Sequence, residues 1–337
     1  MQKPIDLQFL RDAQDLFSGR REGHMGAYLY KDPRLWSALA ENDRDYYISR
    51  HDNRLLNRSL KGLARAIPAH LGFRDNGPGA GKSVEEKTVR LLKALQSNEY
   101  IAVDVSEAFA TAACEAVNRY LPDIKTTAEV LDFFRKAKAE RSPAVVYFGG
   151  STIGNITHPL DEEFPTIKLA TALDGLASQA GDYLIVSFDS NRDESSLMKA
   201  YTTEKNSVFV TGLVRRIAVE LPNQGFNPAV FSHDPTWNAP GRQMAHFLGV
   251  EKDCEFQLGK ENFSVKAGER FLGLNSYKPA EDNLIDASDI IGLQPVEFFQ
   301  DDSTLRIAVL QRPQNANYQM TSSRVNERLA HAAIGAR

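Results

Sequence analysis

An α/β fold built on a parallel sheet, with a second and smaller domain beside it, is what this sequence predicts. Three observations predict it. Apolar strands of five to seven residues alternate with helices between residues 100 and 188. The pattern then changes, to helix over 195–220 and to short β-like runs over 227–278. One glycine string ends a strand, where open α/β sheets place ligands, and a second glycine-rich loop stands earlier, at 77–81.

Composition sets the outer limits. The chain has 337 residues, of which 42% are hydrophobic and 25% charged, with a net charge of −4. That is ordinary globular composition and long enough for about two domains. With no Lys/Arg cluster and a net negative charge, phosphate neutralisation on a nucleic acid is not expected. No stretch approaches the ~18–20 apolar residues of a membrane span, and Met1-Gln-Lys-Pro-Ile-Asp6 does not open a signal peptide. Two cysteines, Cys114 and Cys254, are too few for a disulfide framework, and the scattered histidines offer no zinc spacing. We expect a cytosolic enzyme acting on a small molecule, with no nucleic-acid or membrane partner and no metal.

Residues 5–60 mix aromatic and charged positions and read as short helices and loops. Leu55, Leu56, Leu60, Leu63, Ala64 and Ile67 repeat at three and four and predict a helix over 54–68. The loop Asn76-Gly-Pro-Gly-Ala-Gly-Lys-Ser83 follows, then a helix over 85–95; the stretch Gly72–Asn76 before the loop is too polar to read as a strand. Strands are expected at Tyr100–Val105, Ala144–Phe148 and Asp182–Phe188, with helices at 107–120 and 169–180. Later runs at 243–248, 255–258 and 270–274 read as strands. A helix near 286–291 then precedes a hairpin of 295–299 and 305–310 turned by Asp301-Asp302-Ser303. The tail from Pro313 offers at most a helix near 325–333.

The first glycine loop admits three readings. A phosphate loop needs Gly, four residues, then Gly-Lys-Ser, and the required first glycine is Asn76; an ATP-dependent phosphotransferase using Lys82 and Ser83 is therefore the weaker reading. A nucleoside-binding loop needs only close backbone approach and an acid after the next strand, and Asp104 stands there. That pair does not choose between a nicotinamide cofactor and S-adenosylmethionine. A simple turn is the third.

The string Tyr147-Phe-Gly-Gly-Ser-Thr-Ile-Gly-Asn155, with Val103-Asp-Val-Ser106 and Gly268-Glu-Arg-Phe-Leu-Gly-Leu-Asn-Ser-Tyr-Lys278, resembles the histidine-specific S-adenosylmethionine-dependent methyltransferases. That family includes the ergothioneine-pathway histidine N-alpha-methyltransferase and related tryptophan N-methyltransferases. The resemblance runs from about residue 25 to 312. It implies a class I (Rossmann-like) methyltransferase sheet over 61–194 and 281–312, and a substrate-binding domain from 1–60 and 195–280, the latter inserted after strand 5. Residues 313–337 are left as a tail.

The same resemblance implies roles for named residues. Gly77, Gly79, Gly81, Asp104, Asp132 and Phe133 would hold S-adenosylmethionine, with Asp104 on the ribose; Lys87 is a better match than Lys82 for the lysine near the cofactor carboxylate. Asn155 and Tyr201 would hold the acceptor's carboxylate, and Gly150 would face its amine. Tyr28 or Tyr30, Trp36 and Tyr46 would form an aromatic wall, with Tyr46 and Tyr28 steering the amine. Met244 and Ser276 would meet the side chain. The departure is Leu274, where histidine-using members place a glutamate; leucine cannot accept an imidazole N–H, and an unpaired buried donor costs about 1–3 kcal/mol. Asn275 is the neighbour able to compensate. The expectation is N-methylation of a free amino acid or derivative with a less polar, tryptophan-like side chain. The alternatives are histidine itself and a non-catalytic ligand-binding relative.

Overall fold

The computed structural model describes residues 5–20, 25–31, 33–79, 81–132, 145–156, 163–179 and 182–313. Phe133 and the tail from residue 314 lie outside them. The chain divides into two compact units, one of Tyr47–Ile156, Phe164–Asn191 and Lys278–Arg337, the other of Met1–Tyr46, Thr157–Glu163 and Arg192–Tyr277.

The first unit is built on strands β1 (Phe73–Asn76), β2 (Glu99–Asp104), β3 (Lys125–Val130), β4 (Val145–Phe148) and β5 (Tyr183–Asp189). They pair in parallel in the order β5-β4-β1-β2-β3. The chain then leaves for the other unit, which holds β6 (Asn223–Gln224), β7 (Phe231–Asn238), β8 (Gln243–Val250), β9 (Cys254–Leu258), β10 (Glu261–Val265) and β11 (Arg270–Tyr277). It returns as a helix over Glu281–Ile291 and the hairpin β12 (Gln294–Gln300) and β13 (Leu305–Gln311), β13 lying antiparallel on β5. The seven-stranded order is β12-β13-β5-β4-β1-β2-β3, so the direction of winding reverses between β1 and β4. The crevice at the carboxyl ends of those two strands is where such sheets bind ligands.

The stretch Phe73–Asn76, which its polarity argues against as a strand, is β1, the middle one of the five parallel strands and fully buried. Its polar side chains are paired from neighbouring elements. Arg74 donates to Glu129 (2.6 Å) and to Gln179 Oε1 (3.2 Å), and Asn76 donates to the same Gln179 oxygen (3.1 Å). Asp75 accepts from Thr88 Oγ1 at 2.6 Å and from the Tyr100 hydroxyl at 3.3 Å. A buried donor stripped of its acceptor costs about 1–3 kcal/mol. Gln179→Leu is therefore expected to lower unfolding free energy by roughly that amount, measured by urea denaturation.

Strand β3 offers the sequence no apolar alternation: Lys125-Thr-Thr-Ala-Glu-Val130 is half exposed because it is the sheet edge, with Lys125 on Glu99 at 3.0 Å. The helix expected over 54–68 spans Ile48–Ala66 and belongs to this unit, so the division falls at Tyr46/Tyr47 rather than at 60. Its buried stripe runs Ile48, Asp52, Leu55, Leu56, Ser59, Gly62, Leu63, and a Cβ at Gly62 would collide with the ring of Phe299. After the glycine loop, helix runs from Gly81 to Leu95 with a widened π turn over Val84–Thr88.

In the other unit, Phe17 on the helix Leu7–Phe17 sits among Phe226, Phe231, Phe256, Phe263 and Phe271, with ring centroids 5.2–6.1 Å away. The helix expected over 195–220 is two, Glu194–Tyr201 and Glu204–Glu220, because Thr203 caps the second by accepting from Asn206 N. Two three-stranded sheets complete it, β11-β8-β7 and β10-β9-β6. No helix among the described residues is long and apolar enough to cross a membrane.

Candidate active site

In the sheet-bearing unit, the chain leaving β1 turns at once through Gly77 and Gly79, at φ +76° and +77°, a conformation that disfavours side chains. Gly77 N–H donates to Val103 O at 2.8 Å, which seats the loop on β2. A Cβ at Gly81 would meet nothing within 4 Å, so there is open space beside the helix start. At the end of β2, Asp104 is 6% exposed and accepts from Ser106 N at 2.9 Å. Burial, with the charge of Asp75 adding to it, pushes its carboxyl up to about 7; burial likewise lifts Asp75 to about 6 against its hydrogen bond from Thr88. An acid placed to accept hydroxyls and a loop with glycine at 77, 79 and 81 fit an adenosine-type ligand. Leu131 N donates to Asp104 O at 3.1 Å, bringing Leu131-Asp132 next to this acid.

The two lysines separate. Lys82 is largely exposed and stands 3.9 Å from Glu86, whereas Lys87 is half-buried and lies 3.6 Å from the fully buried Asp52. Asp52 also accepts from Gly150 N at 3.1 Å. It therefore joins the π turn to the glycine turn after β4. Gly150 and Ser151 hold φ of +69° and +59° there, and the 3-10 turn Thr152–Asn155 follows. A Cβ at Gly149 would collide with the Tyr147 hydroxyl, so this position admits glycine alone. Asp52 was not legible as a site residue; its only trace is a carboxylate on the apolar stripe of a helix.

Behind the turn, Ser151 Oγ accepts from Asp189 N at 2.9 Å. Asp189 is fully buried and accepts from the Tyr47 hydroxyl (2.6 Å) and Thr304 Oγ1 (2.6 Å), with Lys278 Nζ at 3.2 Å, itself 0% exposed. This closed network fixes the carboxyl end of β5.

In the other unit, a bulge decides which residues share a face. Leu272 pairs Phe247 but Leu274 pairs His246, two steps on β11 against one on β8. The bulged Gly273 offers its carbonyl to Met25 N at 3.0 Å. The bulge turns Leu274 and Ser276 onto the face of Met244 and His246, while Leu272 stays with Ala245 and Phe247. Asn275 lies on that second face, opposite Ala245, and accepts from Gln243 at 2.7 Å; it is not placed to compensate for Leu274.

Tyr201 joins the first face through its hydroxyl, 3.1 Å from Ser276 Oγ, and through an edge contact with His246 at 5.1 Å. From Tyr201 the rings continue to Tyr46 (5.8 Å), Trp36 (6.1 Å) and Tyr30 (5.2 Å). Of the two tyrosines expected in the aromatic wall, Tyr30 is in this series. Tyr28 stacks on Phe9 and donates its hydroxyl to Asp12 at 2.7 Å. His246 is the residue that sequence reasoning missed; its signal was its place two after Met244, on the same side of a strand.

A parallel sheet that reverses between β1 and β4, with a glycine loop and a buried acid at its carboxyl edge, is a Rossmann-like nucleoside-binding fold, and the family model that matches the chain makes it a class I, S-adenosylmethionine-dependent methyltransferase. The chain belongs to the family described as histidine-specific methyltransferase, SAM-dependent, whose model matches residues 26–312. It is 25% identical over 295 residues to N-methyltransferase imqF of Aspergillus flavus, covering 81% of this chain and 79% of that protein. Among solved structures it is similar to magnesium protoporphyrin IX methyltransferase from Synechocystis PCC 6803. With bound SAM that structure gives a TM-score of 0.44 at 12% identity, covering 93% of this chain and 100% of that one. With bound SAH it gives 0.45 at 13%, covering 85% and 97%. The phosphotransferase reading is thereby superseded.

Proposed function

We propose that the chain methylates the amino group of a free amino acid, or a close derivative, whose side chain is less polar than that of histidine. The observation that carries this is Leu274, 6% exposed, turned by the bulge onto the same face as Met244 and Ser276. In histidine-using relatives a glutamate at this position takes the imidazole N–H, and leucine offers no acceptor.

When bound, S-adenosylmethionine supplies a methyl group on a positively charged sulfur. Asp104 would take its ribose hydroxyls, Gly77, Gly79 and Gly81 would let backbone approach it, and Lys87 would attract its carboxylate. Asp132, beside Leu131, lines the adenine. For the acceptor, the resemblance assigns the side chain to Trp36, Tyr46, Met244, Leu274 and Ser276, the carboxylate to Tyr201 and Asn155, and the amine to Gly150. The reacting nitrogen must be uncharged, and an α-amine with a pKa near 8 is partly so at neutral pH. Holding it in line is then most of what the residues contribute; well-oriented reactants gain up to ~7–11 kcal/mol.

The test is mass spectrometry of product formed with S-adenosylmethionine and each of the twenty amino acids, on the native chain and on Leu274→Glu. The substitution is expected to raise the rate on histidine relative to the native acceptor by about tenfold or more. An unchanged ratio would remove Leu274 from the acceptor's side chain, and histidine as the best native acceptor would overturn the reading.

A further inference from the structure

Resting on the N-methyltransferase reading, we propose that His246, held by His233 and Ser207, is the specificity-determining contact for the acceptor's side chain. The side chain it selects is an uncharged aromatic ring with one ring N–H or O–H.

The geometry starts from the sheet face. Directly opposite residues of antiparallel strands share a side, so Met244 and His246 of β8, Leu274 and Ser276 of β11, and His233, Pro235 and Trp237 of β7 lie together. Leu274 and His246 are a cross-strand pair. The polar group that Leu274 does not supply is thus present one strand away, as an imidazole, and the direction of recognition changes with it: a carboxylate favours a cationic or donor-rich partner, whereas an imidazole paired to a second imidazole exchanges single hydrogen bonds.

His246 is built in. It is 2% exposed, its Nδ1 is 3.0 Å from His233 Nε2, and the two rings lie nearly parallel at 17° with centroids 5.2 Å apart. His233 Nδ1 is 3.4 Å from Ser207 Oγ, on the first turn of the helix Glu204–Glu220. Burial drives the His233 pKa down to about 4, so this ring stays neutral at physiological pH. A neutral ring cannot donate from both nitrogens, so exactly one of the facing pair carries the shared proton. Ser207 can donate or accept, and the three-member chain therefore admits two proton arrangements. In one, His246 Nε2 bears a hydrogen; in the other it offers a lone pair. The second suits an indole-type N–H, and either suits a phenol.

The remaining surroundings favour an aromatic ring. Tyr201 meets His246 edge-on, and Tyr46, Trp36 and Tyr30 follow in sequence of contact. A flat ring can enter such a series through offset and edge contacts.

The experiment is calorimetry on the full chain saturated with S-adenosylhomocysteine, titrated with L-tryptophan, L-tyrosine, L-phenylalanine and L-histidine. The native chain is expected to bind tryptophan or tyrosine about tenfold more tightly than phenylalanine. His246→Leu should erase that preference, and His246→Gln, which keeps a side-chain donor and acceptor, should restore part of it. His233→Leu should erase it as well and His233→Gln recover it, because His233 acts as a positioning residue through His246. Affinity for S-adenosylhomocysteine should be unchanged in all four variants, which also reports that they are folded. Equal preference in the native chain and His246→Leu overturns the proposal, as does absence of binding by all four amino acids while S-adenosylhomocysteine still binds. Failure of the native chain to bind S-adenosylhomocysteine overturns the methyltransferase reading on which the proposal rests.

Discussion

Asp104→Ala is expected to weaken S-adenosylmethionine binding by one to two orders of magnitude, measured by calorimetry. Hydrogen bonds to a charged group contribute about 1.5–3 kcal/mol each, and Asp104 is the buried acid at the end of β2, beside the Gly77 loop. The pH dependence follows from the same burial. The Asp104 carboxyl is pushed up to about 7, so in the free protein it is charged above that pH and protonated below it. Cofactor hydroxyls need the charged form. Affinity should therefore be full above about pH 7 and fall towards tenfold per unit below it. Asp104→Asn should bind weakly at every pH and show a flat profile. The stability contribution has the opposite sign: a carboxyl whose folded pKa exceeds its unfolded value of 3.8 favours the folded state at low pH, and that contribution is lost as pH rises from about 4 to 7. Asp104→Asn should remove this slope too, seen by urea denaturation of the free protein.

Asp189→Ala should be the most destabilising single change considered, costing about 3–5 kcal/mol in denaturant unfolding. Asp189 and Lys278 are both 0% exposed, and removing the carboxylate takes a charged partner from a buried ammonium and a hydrogen-bond acceptor from Tyr47 and from Thr304. The double variant Asp189→Leu with Lys278→Met should recover a large part of the loss, since well-packed apolar pairs often replace buried ion pairs without cost. Lys125→Ala, by contrast, removes an ion pair to Glu99 with 75% and 33% of the side chains exposed, and should change stability by less than about 1 kcal/mol.

What the sequence disclosed, it disclosed through apolar patterning. Strands β2, β4 and β5 are apolar runs because parallel strands are covered on both faces. The helix over Glu107–Tyr120 is bounded by Ser106, which caps it by accepting from Phe109 N. Polar elements were hidden for two different reasons. β1 is interior yet reads Phe-Arg-Asp-Asn, because its polar side chains bond Gln179, Glu129, Thr88 and Tyr100, partners brought by other elements. β3 is polar because it is an edge. In the site, Gly77, Gly79, Asp104 and Gly150 were legible because backbone turns and an acid at a strand end are local features. Asp52, His246 and the Tyr28–Asp12 pair were not, because each depends on a partner brought by the fold: Gly150 and Lys87, His233, and Asp12. The bulge at Gly273 belongs to the same class. A strict alternation would have put Leu274 with Leu272, and only the observed register puts it with His246.

The most direct measurement is incubation of the purified chain with S-adenosylmethionine labelled in its methyl group and a mixture of the twenty amino acids, followed by tandem mass spectrometry. The account predicts label on the amino nitrogen of an aromatic amino acid other than histidine, with none in a reaction containing Asp104→Ala at the same cofactor concentration. Label on an oxygen or carbon atom, or on histidine in preference to every other amino acid, would contradict it.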